Sequence, residues 1–327
     1  MHILITGAVG MIGRKLTARL VAAGELNGER IEKLTLVDVV PPAAPPGYAG
    51  ALDAVATDIG NPASAPKLVA GRPDVIFHLA AIVSGEAETD FDKGMRVNLD
   101  GSRALLDAVR AIGGGYRPRL VFTSSIAVFG APFPETIGDE FQLTPLTSYG
   151  TQKAVIELLL ADYSRRGFVD GIGIRLPTIS VRPGRPNQAA SGFFSSIIRE
   201  PLAGEEAYLP VADDVRHWHA SPRAAVGFLL HAAGVARDRL GPRINLTMPG
   251  VCCTVAEQIE ALRRIAGDGV VSRIRRRPDP LVARIVAGWP RRFDARRARA
   301  LGFRAESTFD EIVQVHIEDE LGGKIAV

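Results

Sequence analysis

Cysteine is nearly missing from this 327-residue chain, which has only Cys252 and Cys253, side by side. Neighbouring thiols make a poor disulfide staple and supply too few ligands for a zinc site, so neither a disulfide framework nor a metal centre is expected. The pair reads as small, buried apolar residues in a reducing compartment. Long apolar runs are missing too: none approaches the roughly 18 residues of a membrane span, so no membrane partner is expected. Met1 to Gly7 runs straight into a strand and a glycine turn, without the basic and apolar regions of a signal peptide, and a cytoplasmic location is the expectation. A strong charge of one sign is also lacking, since 39 Lys and Arg against 36 Asp and Glu leave +3. Arginines do cluster late, at Arg273, Arg275, Arg276 and Arg277 and again around Arg291, Arg292, Arg296, Arg297 and Arg299. Neither cluster has interleaved aromatics or a binding motif, so we read a solvated or subunit-contact face and no nucleic-acid partner. No internal repeat or low-complexity tract is visible.

What is present is alternation. His2 to Thr6 is a short apolar run, Gly7 to Gly13 a turn, and Leu16, Leu20 and Val21 recur at helical spacing until Gly24. Lys33 to Asp38 reads as a second strand, ended by the proline-rich stretch Pro41 to Pro46. Further strands are predicted near Leu52 to Thr57, Val75 to Leu79, Leu120 to Ser124 and Ile172 to Leu176, with helices around Asn98 to Val109 and Tyr149 to Tyr163. Such a pattern predicts an α/β fold, a Rossmann-like doubly wound parallel sheet. After Ser180 the pattern loosens into loops with helices at Gly192 to Arg199, Pro222 to Ala233 and from Val255, and a strand at Arg243 to Met248. We therefore expect an NAD-binding domain over 1–180 and a smaller C-terminal substrate-binding domain over 181–327, with a later strand and helix returning to the first.

The chemistry starts at Gly7-Ala8-Val9-Gly10-Met11-Ile12-Gly13, between a strand and a helix. Small residues there let backbone approach a pyrophosphate, and the helix N-terminus offers free N–H groups and positive dipole. Asp38 ends the second strand, where a carboxylate accepts from an adenosine ribose and repels a 2′-phosphate. The expected cofactor is NAD rather than NADP. Tyr149 and Lys153, four residues apart, share one face of a predicted helix. A free phenol is too weak an acid to act as a base at neutral pH, and a neighbouring ammonium with a positive nicotinamide is expected to favour its ionised form. Tyr-x-x-x-Lys is common by chance; its place, about 25 residues after a Ser-rich strand end, is what gives it weight.

These motifs resemble the extended short-chain dehydrogenase/reductase family, whose glycine spacing is also Gly-x-x-Gly-x-x-Gly. Asp58-Ile59 resembles the pair that meets the adenine, and His78-Leu79-Ala80-Ala81 the fourth-strand motif lining the cofactor. Asn98-Leu99-Asp100-Gly101 resembles the family's Asn-x-x-Gly segment, and Pro177 its turn beneath the nicotinamide. The resemblance implies that Tyr149 is the acid/base, that Lys153 also binds the nicotinamide ribose, and that Ser125 orients the substrate hydroxyl. It further implies a homodimer. Phe129-Gly130 departs from the family's Tyr-Gly, and Arg216-His217-Trp218-His219 replaces an Arg-Asp-aromatic segment of nucleotide-sugar enzymes.

Arg182-Pro183-Gly184-Arg185-Pro186-Asn187-Gln188 follows the sixth predicted strand, and its guanidiniums suit an anionic, hydroxylated small molecule. The longer stretch from Leu176 to Phe194, with Ala80 to Glu86, resembles a branch of the family that oxidises the 2-hydroxyl of a four-carbon sugar acid while reducing NAD. On that resemblance an arginine binds the carboxylate, Arg182 ahead of Arg185 and Arg216, Ser125 and Tyr149 hold the hydroxyl, and Ser84, Asn187 or His217 serves the remaining hydroxyls. Two alternatives stay open: a nucleotide-sugar epimerase or reductase that keeps its NAD, and a non-catalytic NAD-sensing protein.

Overall fold

The computed structural model describes residues 1–184 and 190–325. Seven strands form one sheet: β1 (His2–Thr6), β2 (Lys33–Asp38), β3 (Ala51–Ala56), β4 (Val75–His78), β5 (Arg119–Ser125), β6 (Asp170–Leu176) and β7 (Asn245–Thr247). Their order is β3-β2-β1-β4-β5-β6-β7, and every pairing is parallel. Central strands buried on both faces lose apolar alternation and read as continuous runs. Ile3, Leu4 and Ile5 of β1 and Ile76 and Phe77 of β4 are all fully buried. Helices α1 (Met11–Ala23), α2 (Ser102–Ile112), α3 (Ser148–Arg165), α4 (Gly192–Leu202) and α5 (Pro222–Gly234) follow in chain order. In the sheet's cover α1 packs on α5, and α2 packs on α3.

From β1 the chain proceeds to β2 on one side, while β4 lies on the other. That reversal opens a crevice at the carboxyl ends of β1 and β4, the place where doubly wound sheets bind their ligands. Beyond it lies a second core built by Phe193, Phe194, Ile197 and Ile198 of α4 with Ile259, Leu262, Ile312 and Val313. A three-stranded sheet borders it, with Arg216–Ala220 between Thr178–Ile179 and Val251–Thr254. The chain then re-enters the first core, through Phe228 and Leu229 of α5 and Leu246 of β7.

Cys253 is buried and burial pushes its thiol up to about 12, but Cys252 is only half-buried, its Sγ directed at the Arg291 carbonyl at 3.3 Å. The late arginines meet carboxylates of their own chain, Arg275 with Glu206 and Arg276 with Asp213, each at 2.6 Å. Among the described residues no helix is long and apolar enough to cross a membrane.

Candidate active site

One cavity of about 570 Å³ occupies the crevice, lined at one end by Gly7, Gly10, Met11, Ile12 and Gly13. α1 starts after Gly10 without any side-chain cap, so its first N–H groups face the cavity mouth unclaimed by a side chain. Close approach explains the glycines. A Cβ on Gly13 would stand 2.2 Å from the Gly7 carbonyl oxygen and 2.8 Å from the Ala8 Cα, so a side chain there opens the turn. Asp38 lies beside the glycine turn, at the end of β2, accepting from the Val9 N–H at 2.9 Å and the Val39 N–H at 2.8 Å. A carboxylate has about four acceptor sites, so both oxygens keep capacity for ribose hydroxyls. Capless helix, glycine turn and terminal carboxylate together fit NAD.

Leu79, Ala81, Ser84 and Pro177 line the same cavity, whereas Asp38, Asp58, Ile59, Ala80 and Asn98 are not on its wall. Asp58 pairs with Arg96 and accepts from the Gly60 N–H at 2.8 Å. Ile59 is buried. The Ala80 N–H donates to Thr6 Oγ1 at 3.3 Å, which places it behind the glycine turn. Asn98 lies in a π-helical turn, Met95–Gly101, a distortion that accompanies functional sites. Its Oδ1 accepts from the Ile82 N–H at 2.9 Å and its Nδ2 donates to Gln152 Oε1 at 2.8 Å, tying the cavity-lining residues Ala81 to Val83 to α3.

The catalytic candidates meet at mid-cavity, where Ser125, Tyr149 and Lys153 all line the wall. Thr147 caps α3, its Oγ1 accepting from the Gly150 N–H at 3.0 Å, and so sets Tyr149 in the first turn. Gly150 lets that turn approach the segment after β5, because a Cβ there would stand 2.2 Å from the Ala127 carbonyl oxygen. Ser125, at the end of β5, is thereby brought beside Tyr149 on the same wall, where its hydroxyl favours the ionised phenol. Lys153 Nζ donates to the Thr123 carbonyl at 2.9 Å and stands 5.7 Å from the Tyr149 ring centroid.

The electrostatics differ from the simple expectation of an acidified phenol. Tyr149 is half-buried on the cavity wall. Burial pushes the phenol up to about 12, and the Ser125 hydroxyl only partly opposes this. Burial also pushes Lys153 down to about 7, against the pull of Glu157. The lysine's charge thus has to be held in place by its surroundings.

At the far end the wall includes Thr178, Arg182, Ser191, Ser195, His217 and Trp289. Arg182 is held by Nε donating to the Ile179 carbonyl at 3.1 Å and Nη2 donating to Ser191 Oγ at 2.6 Å. His217 is buried and stacked on Phe194, with ring centroids 5.3 Å apart. The Pro290 carbonyl, 3.0 Å from Nδ1, can only accept, so Nδ1 carries the proton and Nε2 accepts from Thr178 Oγ1 at 2.7 Å. Burial pushes this imidazole down to about 4. His217 is therefore a neutral part of the cavity wall whose two nitrogens already have partners. Arg216 turns to Glu257 at 3.5 Å, off the cavity wall. Asn187 and Arg185 lie outside the described residues. Thr178, Trp289 and Arg199 were not singled out from the sequence as site residues; Thr178 reaches the cavity from the short strand after β6, Arg199 from α4, and Trp289 through its packing on the second core.

A model of the NAD-dependent epimerase/dehydratase family matches residues 3–232. The D-erythronate dehydrogenase of Cupriavidus necator is 49% identical over 324 residues, 98% of each chain. That of Haemophilus influenzae is 41% identical over 321 residues, 98% of this chain and 100% of its own. A solved structure described as the nucleoside-diphosphate-sugar epimerase from Agrobacterium tumefaciens has a TM-score of 0.98 and 66% identity, covering 100% of this chain and 96% of that one.

Proposed function

The chain belongs to the NAD-dependent epimerase/dehydratase family, and from that premise we propose that it oxidises the 2-hydroxyl of D-erythronate to 2-oxo-D-erythronate. At the coarser level it is an NAD-dependent dehydrogenase of a sugar acid. The observation that carries the finer reading is one cavity holding Ser125, Tyr149 and Lys153 beside a half-buried guanidinium, Arg182, with full-length likeness to two D-erythronate dehydrogenases.

Arg182 binds the carboxylate, which places the adjacent carbinol toward Tyr149. Ser125 hydrogen-bonds to that hydroxyl, and Tyr149 as phenolate takes its proton. Lys153 supplies the positive charge that makes the phenolate accessible and holds the ribose of the dinucleotide. Ser84 and the neutral His217 wall face the remaining hydroxyls, and Asn187, outside the described residues, is the further residue expected to bind them. Bound NAD supplies the two-electron acceptor that takes the carbinol hydrogen as hydride.

The name given to the Agrobacterium tumefaciens structure favours a second reading, epimerisation of a nucleotide sugar. A diphosphate calls for several cations, but Arg216 is turned to Glu257 and Arg199 is bound to Glu200 at 2.5 Å. One incubation separates the two. Purified protein with NAD and a panel of four-carbon acids should release free NADH, fastest with D-erythronate; epimer formation from nucleotide sugars without free NADH would replace the proposal.

A further inference from the structure

Tyr149, Lys153 and Glu157 recur every four residues along one face of α3. Each meets a successive residue at the end of β5. Lys153 Nζ donates to the Thr123 carbonyl at 2.9 Å, Ser124 Oγ donates to Glu157 Oε1 at 2.5 Å, and Ser125 stands beside Tyr149 on the cavity wall. The third rung, Glu157, is fully buried and touches neither cavity nor solvent.

Its charge is matched from β6. Arg175 donates through Nε to Oε1 at 2.9 Å and through Nη2 to Oε2 at 2.7 Å. Behind Arg175 stand the Phe129 ring, 4.9 Å from the guanidinium carbon, and Asp139 at 3.6 Å, itself 3.4 Å from Arg297. Asn245 Nδ2 of β7 donates to the Glu157 carbonyl at 3.1 Å. A buried ion pair costs more to desolvate than a well-packed apolar pair, so burial on this scale is weak as a device for stability. A glutamine in this position would accept from Ser124 equally well. Only the carboxylate, however, places a negative charge one turn from Lys153.

We propose that Glu157 is a positioning residue of the catalytic set: through Ser124 it fixes the end of β5 against α3, and its charge holds Lys153 as an ammonium. The proposal rests on the reading that Ser125, Tyr149 and Lys153 carry the proton chemistry. The charged and titratable groups facing Lys153 are Tyr149 and Glu157 on its own helix and His78 from β4. His78 is driven down to about 3, by burial first and then by Lys153 itself, and stays neutral. Its tautomer follows from its partners: Ser102 Oγ donates to the Asn98 carbonyl and so accepts from His78 Nε2, while Thr6 donates to Nδ1. Glu157 is therefore the carboxylate that opposes the desolvation of Lys153. Without its charge Lys153 binds its proton less firmly, and Tyr149 becomes a weaker acid at neutral pH.

Glu157→Gln tests this through the pH profile of kcat/KM for D-erythronate. The ascending limb should move about one pH unit upward and kcat at pH 7 should fall about tenfold, with KM changed less than about twofold. NADH affinity, read by fluorescence, should fall off relative to the wild type between pH 6 and pH 9 as Lys153 discharges. If the single variant does not fold, Glu157→Gln with Arg175→Met removes the carboxylate without orphaning the arginine, and the same limb is read. Ser124→Ala isolates the tether: kcat should fall several-fold with the limb unmoved. A folded Glu157 variant with the wild-type limb and the wild-type NADH profile overturns the proposal. Full turnover in Tyr149→Phe overturns the underlying reading instead.

Discussion

Under the proposed function, Arg182 is the single residue that receives an anion. Burial first, and then the nearby Arg199 cation, push its guanidinium below the usual arginine value. Its backbone is clamped on both sides, the N–H donating to Ser195 Oγ at 3.0 Å and the carbonyl accepting from Arg199 Nη1 at 2.6 Å. A desolvated, preoriented cation gains much from a carboxylate arriving between it and the reacting carbon, because the rigidity cost is met in folding rather than binding. Arg182→Ala should therefore raise the KM for D-erythronate about a hundredfold while kcat changes far less. Arg182→Lys should recover only part of the loss, since a point charge replaces the planar fork. Steady-state NADH production gives both constants, and an unchanged KM would remove Arg182 from the carboxylate site.

At the level of elements, what could be read from the sequence was local. The strand–turn–helix at His2 to Ala23 and the helix bearing Tyr149 and Lys153 carry their own periodicity and glycine or threonine markers, and the structure has them within a residue or two. The strands Ala207–Leu209 and Ile274–Arg276 were not seen, because they are three residues long and exist through pairing across more than sixty residues of chain. Asn98 was recognisable as a motif but not as a brace, since its partners Ile82 and Gln152 come together only in the π-helical turn. Likewise the carboxylate behind Lys153 is spelled out at i+4 but gains meaning only when Ser124 and Arg175 close on it. The glycine turn is the element whose function can be most directly broken. Gly13→Ala places a methyl against the Gly7 carbonyl and the Ala8 Cα, so the turn has to open and α1 loses its register on the cavity. NADH binding followed by fluorescence should weaken at least about tenfold, a cost of about 1.4 kcal/mol or more. Retention of wild-type affinity would mean that the turn does not hold the dinucleotide.

Across the whole molecule, the interior stores proton refusal. His78, His217, His219 and His316 are all buried. Burial drives them below 6.5, His78 to about 3, His217 and His316 to about 4, and His219 well below its ordinary value. Unfolding returns each imidazole to its ordinary affinity, so below about pH 6.5 the unfolded chain binds protons that the folded chain rejects. Stability is then fully present above that pH and is lost as pH falls toward 4. With four such groups the slope approaches about 5.5 kcal/mol per pH unit, from about 1.4 for each proton, so two units remove an amount comparable with the whole stability of an ordinary fold. The thermal midpoint, followed by circular dichroism, should accordingly fall gently from pH 8 to 7, where the lowered Lys153 alone contributes, and steeply from pH 6 to 5, with acid unfolding complete near pH 4. Because the four sit in different places, His78 under the sheet crevice and His316 on the helix Phe309–Glu320, the loss should be cooperative across both cores. A midpoint unchanged down to pH 5 would show that these imidazoles accept protons in place, and with them that the wall His217 presents to the substrate is a cation.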